Sequence, residues 1–230
     1  MNRIKRTLVI LTLNEIEGVR VIYPKLPLDK VDETIVIDGG SKDRTVEFFR
    51  EKGIPVFIQE IRGRGEAFRL ATEVSRGNLL IFFSPDGNED PRDIPKLFNL
   101  LEEGFDLAVG SRFLPGSRND EAEKLLPLRA WANQAFTRLA NLAFRGKMTD
   151  TINGYRAIKK DKFKLLHLDA SGFAIEYQMS IRVMKLGFRL AEIPTIEGDR
   201  IGGHSTAHSI PTGLKILKIF LRELIIGRRF

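Results

Sequence analysis

The chain has 230 residues, with 37 Lys and Arg against 30 Asp and Glu, a formal net charge of +7, and no cysteine. That length suits one large α/β domain, and the lack of cysteine excludes disulfide staples and thiolate metal sites. The basic balance points to an anionic partner, and no apolar run reaches the ~18–20 residues a membrane-spanning helix needs.

The opening stretch is basic, then apolar to Thr12, and stops at Asn14 and Glu15 with no small-residue cleavage site. It reads as a lead-in to a buried strand rather than a leader, which makes the cytoplasm the default expectation. Short β-rich apolar runs at 7–12, 34–37, 56–59 and 79–83 read as buried strands. Helical patterns lie between them, at 43–52 ending on Gly53 and at 66–75 ending near Gly77. After Pro91 a helix is expected through Ile94, Leu97 and Leu101 to Gly104, then a strand at 107–109. Strands alternating with helices imply parallel pairing in a doubly wound sheet.

The second half is less regular. Residues 115–128 read as a mobile loop, and 129–145 as a helix with Trp131, Ala135, Leu139, Leu142 and Ala143 as inner positions. A strand near 155–158, a helix through Met179 to Leu186 closed by Gly187, and a strand at 190–193 come next. Residues 198–213 show neither helical nor strand period. The stretch 214–230 repeats Leu and Ile at helical spacing, with Lys215, Lys218 and Arg222 on a polar stripe. Two readings stay open for it: a final helix docked on the core, or a helix in a membrane interface with its lysines at the headgroups. With no repeat and no linker, one domain is expected over 1–213, followed by this amphipathic helix.

In an open parallel sheet, ligands bind at the carboxyl ends of the strands. Three polar clusters follow strands. Asn14-Glu15 comes after the first, and an N-cap for the next helix would by itself account for it. Asp38-Gly39-Gly40-Ser41 comes after the second; positive-φ glycines and a Ser41 N-cap explain most of it, but not Asp38, whose charge would end a buried strand without an obvious partner. Ser84-Pro85-Asp86-Gly87-Asn88-Glu89-Asp90 comes after the fourth; its hard oxygens suit Mg²⁺ or Mn²⁺, and an acidic loop capping the next helix is the plainer reading. Arg62-Gly63-Arg64-Gly65-Glu66 falls after the third strand with Phe68 in the last glycine position, so it is no dinucleotide fingerprint, although a glycine-opened helix suits a phosphate or ribose. His204 and His208 read as loop histidines for want of a third ligand.

In order, these segments resemble glycosyltransferase family 2 with its GT-A fold, and within it the branch of dolichyl-phosphate mannose synthases and other polyprenyl-phosphate sugar transferases. The resemblance runs over about 7–206. Leu11-Thr12-Leu13-Asn14-Glu15 matches the family's P-T-Y-N-E. Asp38 to Thr45 matches D-D-G-S-x-D-x-T with Gly39 at the second Asp. Arg64-Gly65-Glu66-Ala67 matches its glycine-rich helix opening. Gly110-Ser111-Arg112-Phe113 matches G-S-R-Y, and Gly154-Tyr155-Arg156-Ala157 matches G-F-R-A. Gly187 to Pro194 matches G-Y-R-x-A-E-V-P, and Asp199-Arg200 with Gly203 and Ser205 matches D-R-x-x-G-x-S-K. Besides Leu11 for Pro and Leu13 for Tyr in the first motif, the departures that bear on the chemistry are Ser84 and Asn88, which replace the first Asp and the Gln of the metal motif D-A-D-x-Q, and Thr206, which replaces the terminal Lys.

The resemblance implies a mostly parallel, Rossmann-like sheet flanked by helices, with a nucleotide-sugar half over about 1–110 and an acceptor half over about 111–213. It implies inverting transfer of a hexose from a GDP-mannose or UDP-glucose type donor to a polyprenyl or dolichyl phosphate. Leu11, Asn14, Glu15, Asp38, Gly65, Ser84 and Pro85 would then line the nucleotide site, with Asp38 accepting from the base. Asp86 and Asn88 would hold Mg²⁺ or Mn²⁺. Arg112, Arg129, Arg200 and Ser205 would hold the acceptor phosphate, the arginines and Asp86 being the catalytic set. Residence would be at the cytoplasmic face of a membrane, peripheral through the C-terminal helix. A hydroxyl acceptor, with Glu89 or Asp90 as base, and a silent nucleotide-sugar-binding module are the alternatives. No motif for nucleic acid accompanies the basic charge.

Overall fold

The computed structural model describes residues 5–118, 128–202 and 209–230, with side chains from 211 in the last segment. The strands are β1 (Arg6–Thr12), β2 (Glu33–Asp38), β3 (Val56–Ile58), β4 (Leu79–Phe83), β5 (Leu107–Ser111), β6 (Arg156–Lys159) and β7 (Leu190–Pro194). They form one sheet in the order β3-β2-β1-β4-β6-β5-β7. The helices are α1 (Ile16–Ile22), α2 (Thr45–Glu51), α3 (Arg64–Val74), α4 (Ile94–Glu102), α5 (Leu128–Phe144), α6 (Lys160–Leu165), α7 (Ala174–Leu186) and α8 (Ser209–Ile226).

β1 and β4 are apolar almost throughout because both of their faces are covered. Alternate residues feed two cores. Val9, Leu11, Ile35, Ile37 and Phe82 pack with α3 and α7, where Phe68 stacks on Phe82 at 3.8 Å between ring centroids. Leu8, Ile10, Val36, Ile81 and Phe83 pack with α1 and α4. Strand order reverses between β1 and β4: β2 and β3 lie to one side of β1, and β4, β6, β5 and β7 to the other. The loops leaving the carboxyl ends of β1 and β4 therefore part and leave a crevice, where open α/β sheets bind ligands.

The mostly parallel sheet is as expected, with one exception to parallel pairing. β6 runs antiparallel to both β4 and β5. It has no crossover of its own from β5: α5 and the turn after it bring the chain back at the carboxyl edge, and β6 enters from there. α6, which directly succeeds β6, was not read from the sequence. α8 also starts earlier than residue 214, within the stretch that showed no period.

Gly65, in the first turn of α3, is set by close approach. A Cβ there would lie 2.2 Å from the Ala170 carbonyl oxygen, which is backbone and cannot turn aside. Gly65→Ala is expected to cost about 1–3 kcal/mol through overpacking, read as a lower midpoint in chemical denaturation. Gly65 thus lets α3 pack on the segment before α7.

α5 corrects the sequence reading. All five positions taken as inner, Trp131, Ala135, Leu139, Leu142 and Ala143, are exposed, and Ala130, Thr137 and Ala140 are buried instead. Small side chains let α5 lie close on its neighbours, and polar ties fix which face turns in. Thr137 Oγ1 meets Thr151 Oγ1 at 2.8 Å, the Tyr177 hydroxyl donates to the Phe136 carbonyl at 2.9 Å, and the Asn141 amide bonds both Met148 N–H and C=O.

α8 docks on α7 through Ile216, Ile219, Phe220 and Glu223. The Glu223 carboxylate is fully buried and accepts from Arg182 Nη2 at 2.8 Å and Lys185 Nζ at 2.6 Å. Burial alone would raise its pKa, but these donors outweigh it and bring it below the ordinary value of 4.5. A carboxylate lowered on folding gives stability that is complete above its unfolded pKa and is lost as pH falls through the folded one. Thermal unfolding followed from neutral pH downward should lose stability below about 4.5 in the parent chain. Glu223→Gln should start lower and lose less over that window.

Candidate functional site

The crevice is built from four loops. The first follows β1. Asn14 sits there with φ +55°, a conformation Asn tolerates, and does not cap α1. Its N–H donates to Ser41 Oγ at 2.8 Å, and its side-chain oxygen accepts from the Lys42 N–H at 2.8 Å. Ser41 likewise does not cap α2, whose N-cap is Arg44. The loop after β2 is thereby sewn to the loop after β1, an arrangement Asp43 reinforces by accepting from the Ile16 N–H at 3.0 Å.

Asp38 stands at the centre of that seam, and it has the partners that the sequence did not show. It is fully buried. One oxygen accepts from the Gly40 and Ser41 N–H groups at 2.8 and 2.7 Å, and the other from the Thr12 and Ser41 hydroxyls at 2.7 and 2.6 Å. Those four bonds fill a carboxylate's acceptor sites. Asp38 holds the loop that carries Asn14 and Ser41. Leu11, likewise expected to line the site, gives its side chain to the core.

The loop after β4 faces this seam across the crevice. Pro85 is buried with its carbonyl against α1 at Gly18. Asp86 is nearly buried; its Oδ1 accepts from the Asn88 N–H at 3.1 Å, and its Oδ2 lies 3.5 Å from the Asn88 side-chain nitrogen. The fourth loop, following β7, runs along the one after β4. Its Gly198 N–H donates to the Asn88 carbonyl at 3.1 Å, and its Ile201 N–H to the Asp86 carbonyl at 2.7 Å. That places Arg200 between the two acidic loops. Its Nη1 is 2.7 Å from Asp86 Oδ2, and its Nη2 is bonded to Glu15 Oε1. Glu15 Oε2 and Arg200 Nε are buried with no hydrogen-bond partner. Burial, with Asp86 and Asp43 nearby, pushes the Glu15 carboxyl up to about 7 despite Arg200. A buried polar atom without a partner is costly in a finished core and expected where a ligand completes the set.

Behind Asp86 lies a second charged cluster that the sequence reading missed. Arg64 opens α3, is paired with the buried Glu176 of α7, and donates from Nη1 to Ser84 Oγ at 3.2 Å. Its guanidinium lies over the Phe68 and Phe173 rings at 5.6 and 5.5 Å. Gly154 gives it room: a Cβ there would stand 1.9 Å from Arg64 Nη2. Glu89, read as a helix-start acid, turns back instead and accepts the Ser84 N–H at 2.6 Å. Enclosure, with Asp86 and Glu176 adding to it, raises its carboxyl to about 8 against the pull of Arg64. The glycine-rich spacing around Arg64 was visible in the sequence, but nothing local to Glu176 marked it.

The acceptor-side residues do not all converge. Arg112 is committed to Asp150, with Nε 2.7 Å from Oδ2 and Nη2 3.1 Å from Oδ1, and Glu197 lies 3.7 Å from its Nη1. Those carboxylates hold its pKa above the ordinary arginine value even though burial opposes its charge. Arg112 is thus engaged by carboxylates, as Arg200 is by Glu15 and Asp86. Arg129 is exposed in the first turn of α5. Ser205, with His204 and His208, lies outside the described residues.

The residues fit a divalent cation in kind. Asp86 and the Asn88 amide offer hard oxygens of the type Mg²⁺ and Mn²⁺ prefer, beside the unpartnered Glu15 Oε2. Among the described residues, no group of three or more His, Cys, Asp or Glu stands ready for a metal, so ligand oxygens and water would have to complete the shell.

The sequence model of the family described as "Glycosyl transferase family 2" matches residues 7–166. Glycosyltransferase AglJ of Haloferax volcanii is 30% identical over 202 residues, covering 85% of this chain and 63% of its own length. Dolichyl-phosphate hexose transferase of the same organism is 30% identical over 198 residues, 83% of this chain and 82% of that one. Undecaprenyl-phosphate mannosyltransferase of Micrococcus luteus is 29% identical over 213 residues, 86% and 85%. This chain thus spans less than two thirds of the first of these relatives. Among solved structures, glucosyl-3-phosphoglycerate synthase of Mycobacterium tuberculosis with phosphoglyceric acid superposes with a TM-score of 0.75 at 23% identity, over 96% of this chain and 80% of that one. The same enzyme with Mn²⁺, uridine diphosphate and phosphoglyceric acid gives a TM-score of 0.72 at 22% identity, over 97% and 78%. These structures share the fold.

Proposed function

Since the chain belongs to glycosyl transferase family 2, we propose that it moves a hexose, with inversion, from a nucleoside diphosphate sugar to a polyprenyl phosphate. The observation that carries this reading is the meeting of the loops after β1 and β4 on one guanidinium, with Glu15 Oε2 and Arg200 Nε left unpartnered beside it. Two relatives are named for polyprenyl-phosphate sugar transfer, and a solved neighbour holds Mn²⁺ and uridine diphosphate. The donor is of the GDP-mannose or UDP-glucose type. Residues to about 110 bind it, and residues 111–213 bind the acceptor.

In this reading, Asn14 and the loop organised by Asp38 line the nucleoside, and Glu15 faces the ribose and diphosphate. Asp86 and Asn88 would hold Mg²⁺ or Mn²⁺, which as a Lewis acid would offset the charge developing on the departing diphosphate. Arg200 would exchange its carboxylate partners for phosphate oxygens, to which a planar guanidinium is equally suited. Arg129 and Ser205 would meet the acceptor phosphate. Arg112 acts at one remove, holding Asp150 and through it the N–H groups of Ile152 and Asn153. A phosphate monoester is already anionic near neutral pH, so its oxygen attacks the anomeric carbon without a strong base as the bond to the diphosphate breaks on the opposite face. The protein's contribution is alignment. A lipid acceptor puts the reaction at a membrane surface. We assign the contact with it to α8, whose outward face carries Leu214, Leu217, Leu221 and Ile225; among the described residues no helix is long and apolar enough to cross a membrane.

One observation favours a second reading, a hydroxyl acceptor. Glu89 turns into the site beside Asp86 rather than out to α4, and such an acceptor needs a carboxylate there. Radiolabelled GDP-mannose and UDP-glucose, each with Mn²⁺ and a polyprenyl phosphate, distinguish the two. The proposal expects label in an organic-extractable, acid-labile product. Label only in water-soluble glycoside favours the hydroxyl acceptor, and nucleotide-sugar binding without turnover favours a binding module.

A further inference from the structure

α5 and α8 lie side by side on α7, touching through Phe144 and Phe220, whose ring centroids are 6.1 Å apart. α7 is buried along nearly its whole length, so the faces of α5 and α8 turned away from it look outward together. On α5 that face carries Leu128, Trp131, Leu139 and Leu142, and on α8 it carries Leu214, Leu217, Leu221, Leu224 and Ile225. Trp131 is 58% exposed, Leu142 84% and Ile225 86%. On α8 these residues recur at helical spacing, and on α5 the exposed Ala135 fills the step between Trp131 and Leu139; a two-helix apolar face of this kind marks an interaction surface.

Charge decides what covers it. Residues 128–147 contain no Asp or Glu, and residues 209–230 contain only Glu223, which is buried and paired. The exposed ionic groups along these helices are Arg129, Arg138, Arg145 and Lys147, then Lys215, Lys218, Arg228 and Arg229. A second copy of this chain would bring cation against cation across the same apolar face. An anionic lipid surface satisfies both features, taking leucines and tryptophan below the headgroups and cations among them. We propose that α5 and α8 together form a platform that binds an anionic lipid bilayer. The inference shares with the proposed function the premise of a membrane surface, and it adds α5 and the need for anionic lipid.

Trp131 is the sole tryptophan of the chain, so intrinsic fluorescence reports this surface alone. The test adds vesicles of phosphatidylcholine, with or without phosphatidylglycerol and free of polyprenyl phosphate, and monitors Trp131 emission together with vesicle co-sedimentation. The proposal expects a blue shift and binding with the anionic vesicles, about tenfold or more tighter than with phosphatidylcholine alone and weakened by salt. Leu142→Glu and Ile225→Glu, at exposed positions that leave the fold intact by circular dichroism, should each reduce binding at least several-fold. Equal binding to both vesicle types overturns the charge requirement. Loss with Ile225→Glu but not Leu142→Glu, with Trp131 emission unmoved, overturns the role of α5. Self-association abolished by Leu142→Glu, without vesicle binding, replaces the bilayer with a second copy. Turnover of a detergent-solubilised acceptor, measured on the same variants, tests the sugar-transfer reading separately.

Discussion

Asp86→Asn should lower the rate of sugar transfer by roughly 10²–10³-fold, the scale of removing one preorganised group that stabilises developing charge. Asp86 is the carboxylate of the β4 loop that meets Arg200, and its Oδ1 also anchors the Asn88 N–H. Asparagine keeps an oxygen for that N–H, so the loop should hold its shape and the chain should melt within a few degrees of the parent. The negative charge is lost, and with it the preference for a divalent cation. Steady-state transfer at several Mn²⁺ concentrations should show a lower kcat, with more Mn²⁺ needed for half-maximal rate. Unchanged kcat at all concentrations would remove Asp86 from the mechanism.

The largest effect on stability is expected at Arg64. Arg64→Met strips Glu176 of its charged partner inside α7, where Glu176 Oε2 already has no hydrogen bond, and takes the countercharge from Glu89. Breaking a buried pair by removing one partner typically costs about 3–5 kcal/mol, because the remaining charge stays buried. In a chain of this size that corresponds to a melting temperature lower by roughly 6–20 °C. Glu176→Met should cost less, because Arg64 keeps Glu89 and Asp86 as countercharges and its bond to Ser84. The double variant should recover much of the loss, with a coupling on the order of 2 kcal/mol in a cycle measured by chemical denaturation. Strict additivity would mean that the pair contributes no coupling. The consequence for function is direct, since Arg64 also bonds Ser84 and so braces the loop that carries Asp86.

How legible these features were depends on how local their causes are. β1, β2 and β4 could be read because strands covered on both faces are continuous apolar runs, and the crevice could be inferred from polar residues at their carboxyl ends. Asp86, Glu15 and Arg200 came from order along the chain, and the structure brings them to one ion-pair network. The partners of Asp38, Thr12 and the Gly40 and Ser41 N–H groups, were not legible because they depend on a loop fold that spacing does not encode. The inner face of α5 was misjudged for a related reason. Apolar periodicity marks a face that avoids water, but a helix resting on another by small residues and polar ties can turn that face outward, as Trp131 and Leu142 show. Arg112 stands after a strand end as expected, yet the carboxylate that occupies it lies far along the sequence at Asp150.

The central claim is that Asp86 and Glu15 form one nucleotide-sugar site at the switch point between β1 and β4. Thermal unfolding with Mn²⁺ alone, with GDP-mannose or UDP-glucose alone, and with both tests it most directly, because a ligand that binds only the folded chain raises its melting temperature. One donor together with Mn²⁺ should raise the midpoint well beyond either component alone, and Asp86→Asn should lose that synergy. No shift with either donor, or an equal shift in Asp86→Asn, would contradict the claim.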